Sequence, residues 1–360
     1  MKLGIITFYC SHNYGAMLQT YGLQEYLKKQ GNEVFVIDFK PDYDLKLYKK
    51  NDFRAWLSRN PMKCFKRLAN YIRYKHIRHK RWDGFHSFMN CRLSLFPYKK
   101  GDDFHDFDAI FIGSDQVWSP YHTGGWYDDI MFGKGFKCKA ISYAASCTST
   151  ILDERQKDYL RNHLSGMDAI SVRENQFKKA LQPLTRHTIS VVLDPTFLAG
   201  SKVFNAIATP INKERPFVLI YEITQHKEVY DIACGIANQL NADIVELTNG
   251  MLNYHRSTMD EGASPEEFLG YFKNAACVVT TSFHGTAFSL IFQKSFYMVK
   301  MGSSADDRMT SLLYTLNLQD RIISKGDMPI FTSPNYNKSK ERLHEMVSFS
   351  ESFIANSLVL

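Results

Sequence analysis

Short apolar runs alternate along this chain with stretches whose apolar residues recur every three to four positions. Leu3–Tyr9 (LGIITFY) is apolar and β-prone, which predicts a buried parallel strand. A polar loop, CSHNYG, follows. AMLQTYGLQEYLKKQG then has helical spacing and closes on Gly31, a helix C-terminal signal. EVFVIDF is the next strand. Strand, loop, helix and strand within the first forty residues form a βαβ unit that opens a parallel α/β sheet.

The rhythm is interrupted after residue 40 and then returns. Asp108–Asp115 (DAIFIGSD), Lys139–Ser146 (KAISYAAS) and Asp168–Glu174 (DAISVRE) read as strands ending in polar turns. LDERQKDYLRNHL between them reads as a helix. His187–Thr196 (HTISVVLDPT) is a strand that stops before Pro195. The next stretch, FLAGSKVFNAIATPINKERP, has few periodic signals and several turn residues, so a domain boundary is expected near it. A second α/β series starts at PFVLIYEI and runs through EVYDIACGIANQL, ADIVEL, PEEFLGYFKNA, CVVTTS, SFYMVK and DRMTSLLYTLNL. It closes on a long amphipathic helix. The predicted fold class is therefore α/β, with two Rossmann-like domains facing a cleft. The first spans 1–198 and carries an insert at about 40–100, the second spans 199–335, and the closing helix spans 336–360.

The charge pattern singles out the insert. From Lys40 to Lys100 there are 17 Lys and Arg against 4 Asp and Glu, in a chain whose net charge is +7. Trp56, Phe65, Leu68, Tyr71, Ile72 and Tyr74 are interleaved, several at helical spacing, so the insert reads as helices. Seven cysteines with no C-x-x-C indicate neither a zinc ribbon nor a disulfide framework. The N-terminus lacks the charged flank and cleavage site of a signal peptide. No run of about 18 apolar residues occurs, so no membrane span is expected. These features predict a soluble cytoplasmic protein.

In open parallel α/β sheets, ligands bind beyond the carboxyl ends of the strands. The polar strand ends are therefore the candidates. TTSFHGT (280–286) runs from a strand into a helix, and free amides at a helix N-terminus suit a phosphate or carboxylate. His284 can move a proton near neutral pH, and it can equally be a partly buried structural histidine. Ser282 is a helix cap or an anion ligand, and Gly285 and Thr286 would line the same pocket. Arg173 can clamp a carboxylate or phosphate, or pair with Glu174. In GSDQVW, Ser114 can bind phosphate, Asp115 can act as a base or bind sugar hydroxyls, and Gln116 stands at the same strand end. An Asx turn is the plain alternative. His12, Asn13 and Gly15 stand at the first helix N-terminus. Arg308 follows Asp306-Asp307 at a helix start, where it reaches either a ligand or those aspartates. H-E-x-x-H, G-x-S-x-G, Walker A and metal-spaced Cys/His clusters are all absent, so no metal site is expected.

The pieces NYGAMLQTYGL, GSDQVW, SYAAS, SVRE, VLDPT, PEEFL and NAACVVTTSFHGTAFSLIF, in this order, resemble the polysaccharide pyruvyl transferase family. The resemblance implies a fold similar to GT-B glycosyltransferases. It also implies transfer of a pyruvyl group from phosphoenolpyruvate to a sugar of a surface or capsular polysaccharide precursor, as a ketal, with release of phosphate. No metal or organic cofactor is required by that scheme. The family's histidine maps onto His284 as general acid/base and its donor-binding arginine onto Arg173. Ser282, Gly285, Thr286 and Ser114 are left as donor-site candidates, and His12, Asn13, Gly15, Asp115, Gln116 and Arg308 as acceptor-site candidates. The basic insert becomes a candidate surface for a lipid-linked acceptor or for the inner membrane face. No nucleic-acid module is present. Two alternatives stay open: a GT-B-type glycosyltransferase using a nucleotide sugar, and a non-catalytic glycan-binding partner in polysaccharide assembly.

Overall fold

The structure, a computed structural model, describes residues 1–41, 43, 61–147, 149–248, 258–302 and 306–359. Two all-parallel sheets organise it. The first has the strands β1 (Lys2–Ile6), β2 (Glu33–Ile37), β3 (Leu95–Phe96), β4 (Ala109–Ile112), β5 (Lys139–Ala145), β6 (Ala169–Val172) and β7 (Ile189–Val191). Their order is β3-β2-β1-β4-β5-β6-β7. The second has β8 (Phe217–Glu222), β9 (Asp243–Thr248), β10 (Cys277–Thr280), β11 (Phe296–Lys300) and β12 (Ile322–Ser324), in the order β12-β11-β10-β8-β9. The central strands are buried on both faces, as in AIFI of β4 and FVLIYE of β8, which is why they read as unbroken apolar runs. Each order reverses once, between β1 and β4 and between β8 and β10. These reversals are where a doubly wound sheet opens a crevice at its strand ends.

The helix after β1, α1 (Tyr14–Lys29), starts on the Asn13 side chain and ends before Gly31, whose φ is +84°. Most expected helices follow: α3 (Glu154–Leu164), α4 (Asn175–Leu181), α6 (Lys227–Leu240), α7 (Pro265–Asn274), α8 (Phe283–Ile291), α9 (Asp306–Thr315) and α10 (Tyr336–Val359). One expectation is corrected. The stretch after Thr196 carries no clear period in the sequence, yet Pro195–Ile207 is a helix, α5. Pro195 stands at a helix start, where its fixed φ is favourable. Gly200 interrupts the helix with φ 68° and ψ 176°, which breaks the apolar spacing that sequence reading depends on.

The insert contributes one long helix, α2 (Pro61–Arg92). Residues 44–60, with Trp56, lie outside the described residues, as do the side chains of Phe65, Leu68 and Tyr71. The described end of α2 docks on the second half of the molecule. Lys80 Nζ lies 3.0 Å from Glu267 Oε1, and Arg92 Nε 3.4 Å from Glu266 Oε1. Both glutamates stand in the first turn of α7, where the helix dipole already favours negative charge. Arg81 is buried. It donates to His12 O (3.0 Å), Tyr14 OH (2.7 Å), Thr248 O (3.3 Å) and Glu261 O (3.3 Å), and lies over the Tyr14 and Phe85 rings. It thus ties the first strand-end loop to two loops of the second half.

A shared core closes the floor between the halves. Tyr14 stacks on Phe268 with ring centres 4.6 Å apart, and Phe204 meets Phe288 edge-on at 5.1 Å. α10 then spans both halves. Tyr336 OH donates to Lys294 O (2.6 Å) near the second sheet. Further along, Ser350 Oγ accepts from Leu193 N (3.0 Å), and Lys139 Nζ donates to Leu358 O (2.9 Å) at the first sheet.

Candidate active site

Asp194 follows β7 and is the side chain on which the candidate residues meet. It is 1% exposed. Its Oδ1 caps α5, accepting from Thr196 N (3.1 Å) and Thr196 Oγ1 (2.8 Å). Its Oδ2 is thereby left for other partners. Ser114 Oγ donates to Oδ2 at 3.1 Å and Arg173 Nη1 at 3.1 Å, and His284 Nε2 faces the same oxygen at 3.6 Å. Three expected site residues, from the ends of β4, β6 and β10, thus converge on one carboxylate oxygen. Burial alone would raise the Asp194 carboxyl. The His284 ring, the Arg173 guanidinium and the Thr196 amide outweigh burial and hold it well below the usual carboxylate range.

Arg173 is buried among three carboxylates. Its Nε donates to Glu174 Oε1 at 2.9 Å, and its Nη2 lies 3.8 Å from Asp115 Oδ1. Burial would lower its pKa, but Glu174, Asp194 and Asp115 raise it overall, so it is a fixed cation. Its guanidinium lies 4.5 Å over the Phe283 ring, the neighbour of His284. Arg308 is paired less closely, with Glu174 Oε1 at 3.9 Å. Burial and then the like charge of Arg173 depress its pKa. An incoming anion would relieve that repulsion. Among the described residues, Asp306 Oδ2 accepts from Met301 N and Gly302 N, and Asp307 Oδ2 accepts from Gln176 Nε2.

His284 lies in the first turn of α8 and is 8% exposed. Its Nε2 is buried and makes no hydrogen bond among the described residues. Its Nδ1 side is covered from the other half of the molecule: a Cβ built on Gly15 would lie 2.0 Å from Nδ1. Only glycine at 15 lets the first loop close on this ring.

The remaining candidates have local roles in this structure. Ser282 caps α8, accepting from Gly285 N at 3.5 Å. Thr286 N closes back on Ser282 O at 3.0 Å, so these two amides are used within the helix. A Cβ on Gly285 would lie 2.1 Å from Thr280 Oγ1, so its smallness serves helix-on-strand packing. Asn13 Oδ1 caps α1 through Gly15 N (2.9 Å). His12 stacks on Phe85 at 5.0 Å, and burial, Arg81 and His86 pull its pKa down to about 3. It is thus a neutral ring at ordinary pH. Asp115 has φ 69°, and its carbonyl accepts from Ser146 N (2.9 Å). Gln116 is half-buried, and its carbonyl accepts from Ser119 N (3.0 Å).

A cavity of about 780 Å³ adjoins Asp194, lined at that end by Arg173, Glu174, Phe283 and Arg308. Sequence reasoning missed Asp194 itself and Gln176. An Asp before Pro at a helix start is fully explained as a cap, so its second carboxylate oxygen carried no signal. Among the described residues no three His, Cys, Asp or Glu side chains are grouped as a metal site, and no helix is long and apolar enough to cross a membrane.

No curated protein matches the chain. Solved structures similar to it include the UDP-GlcNAc 2-epimerase of Methanocaldococcus jannaschii, at 12% identity over 97% of this chain and 92% of that one, with TM-score 0.45. The S. aureus MnaA–UDP co-structure has 11% identity over 97% and 91%, with TM-score 0.45. The glycosyltransferase SnogD of Streptomyces nogalater has 11% identity over 99% of both chains, with TM-score 0.41. A family model matches residues 13–303, a span that takes in His284, Arg173, Ser114 and Asp194. The chain belongs to the polysaccharide pyruvyl transferase family.

Proposed function

We propose that this enzyme moves the pyruvyl group of phosphoenolpyruvate onto two hydroxyls of one sugar in a surface-polysaccharide precursor. The product is a cyclic ketal, and phosphate is released. The observation that supports it is the meeting of His284 and Arg173 on Asp194 Oδ2, beside a cavity that also holds Arg308. The donor carries a phosphate and a carboxylate, so it needs a cation that is not already neutralised. Arg173 is largely neutralised by its three carboxylates. Arg308 is therefore assigned the incoming anion and Arg173 the task of holding the site together.

The chemistry follows from the donor. His284, as the proton donor, protonates the methylene carbon of the enol phosphate. The first sugar hydroxyl adds to the resulting cationic carbon and gives up its proton. Phosphate leaves, and the second hydroxyl closes the ring. Of the two hydroxyl protons, one balances the proton given to the methyl group and the other departs with phosphate. The bare imidazole left by the first step is the base for a hydroxyl. Gly15 covers the ring in this structure, so the halves separate to admit the donor and close again over it.

The acceptor is assigned to a lipid-linked precursor at the inner membrane face, with the basic insert toward the anionic surface. The test mixes protein, phosphoenolpyruvate and candidate glycans and measures inorganic phosphate. Acceptor-dependent phosphate release is the expected result. Thermal stabilisation by a nucleotide diphosphate, with none by phosphoenolpyruvate, would instead favour a nucleotide-sugar glycosyltransferase. In the same assay, Gly15→Ala pushes a methyl group into the His284 ring. A loss of roughly 10–10²-fold in kcat is expected, since small misplacements of a catalytic group cost that much. Unchanged turnover in this variant would show that the closed contact is not used.

A further inference from the structure

The cavity is longer than the reacting cluster needs, and its two ends differ in chemistry. At one end stand Arg173, Glu174, Arg308 and the Gln176–Asp307 pair. From there it continues between two helices. α9 lines it with Arg308, Ser311, Leu312 and Thr315, and α10 with Arg342, Glu345, Met346 and Phe349. Both sets recur at three- and four-residue steps, so each is a single stripe on its helix. Each stripe is roughly 10 Å long at 1.5 Å rise per residue. Val191, the last residue of β7, and Leu193, just after it, also line this part. Leu312 and Met346 give this part an apolar face. Phe349 at 53% exposure and Ile151 at 88% leave large apolar surfaces open to water beside it.

We infer that this groove holds an apolar aglycone attached to the acceptor sugar, with the sugar itself at the Arg308–Gln176 end. The inference rests on the pyruvyl-transfer reading and adds a binding surface to it. A bare sugar and the donor would occupy the charged end and leave Met346 and Phe349 wetted. An aryl or alkyl group on the sugar would cover them and gain the free energy of that burial. The occupant is thus an amphipathic glycoside, and the basic insert is not the surface that receives its apolar part.

The test compares methyl, phenyl and hexyl glycosides of one sugar, by calorimetric binding and by phosphate release with phosphoenolpyruvate. Phenyl and hexyl glycosides are expected to bind at least about tenfold more tightly than the methyl glycoside, since a few buried CH₂ groups suffice for that factor. A preference for hexyl over phenyl identifies a chain-like aglycone, and the reverse an aromatic one. Phe349→Ser should remove the preference and leave binding of the methyl glycoside unchanged. Equal binding of all three glycosides, or equal weakening of all three by Phe349→Ser, would overturn the groove assignment. The two readings separate cleanly. A Phe349-dependent aglycone preference without phosphate release overturns the transfer reading alone. Phosphate release without that preference overturns the groove alone.

Discussion

Replacing His284 by Gln is expected to lower phosphate release from phosphoenolpyruvate by roughly 10²–10⁴-fold, the range that a positioned proton donor contributes. The ring stands in the first turn of α8, held between Gly15 and Asp194. Gln roughly fills this space, so melting temperature and donor binding should change little. Alanine, by contrast, would leave a void between the halves and confuse lost chemistry with lost packing. Thermal unfolding and donor calorimetry on the Gln variant separate the two. Full turnover with Gln at 284 would remove this residue from the chemistry and leave the turn as a purely structural device.

The second large effect is on stability. Asp194→Ala strips partners from Ser114, Arg173 and Thr196 at once and leaves the buried Arg173 with Glu174 and the more distant Asp115. Breaking a buried ion pair from one side costs about 3–5 kcal/mol. Asp194→Asn keeps an oxygen to cap α5 but removes the charge, so it should fall between wild type and Ala. The effect has a defined pH window. Folding lowers the Asp194 pKa, so its contribution is fully present above the unfolded value of about 3.9 and is lost as pH falls toward the folded value. Chemical denaturation of wild type and Asp194→Asn should therefore differ most at neutral pH and converge as the medium becomes acidic. A constant gap across that range would mean that the carboxylate charge contributes nothing and that the loss comes from the fit of the side chain alone.

Much of the architecture was legible because fully buried parallel strands write themselves as apolar runs. LGIITFY, DAIFI and PFVLIYE became β1, β4 and β8. The edge strands Leu95–Phe96 and Ile322–Ser324 were not legible, since two or three residues carry no periodic signal. α5 was hidden by Gly200, whose break splits one helix into two pieces too short to show a period. At the site, Arg173, Ser114 and His284 could be found because polar residues at parallel strand ends have few structural reasons to be there. Gly285 shows the limit of that logic. A glycine beside a helix N-terminus suits both close ligand approach and close packing, and only the position of Thr280 Oγ1 separates these. Arg81 was one of 17 basic residues in the insert, and nothing in composition distinguishes the buried one from its solvated neighbours.

The path of α10 has a consequence for how this protein can be taken apart. The second sheet lies in sequence between β7 and α10, and the far end of α10 rests on the first sheet. Topologically the second sheet is inserted between β7 and the helix that returns to the first sheet. One cut near residue 198 would leave the N-terminal piece without the helix that covers Leu193. A self-sufficient first domain would need two cuts and a short linker rejoining β7 to Ser350 and its neighbours.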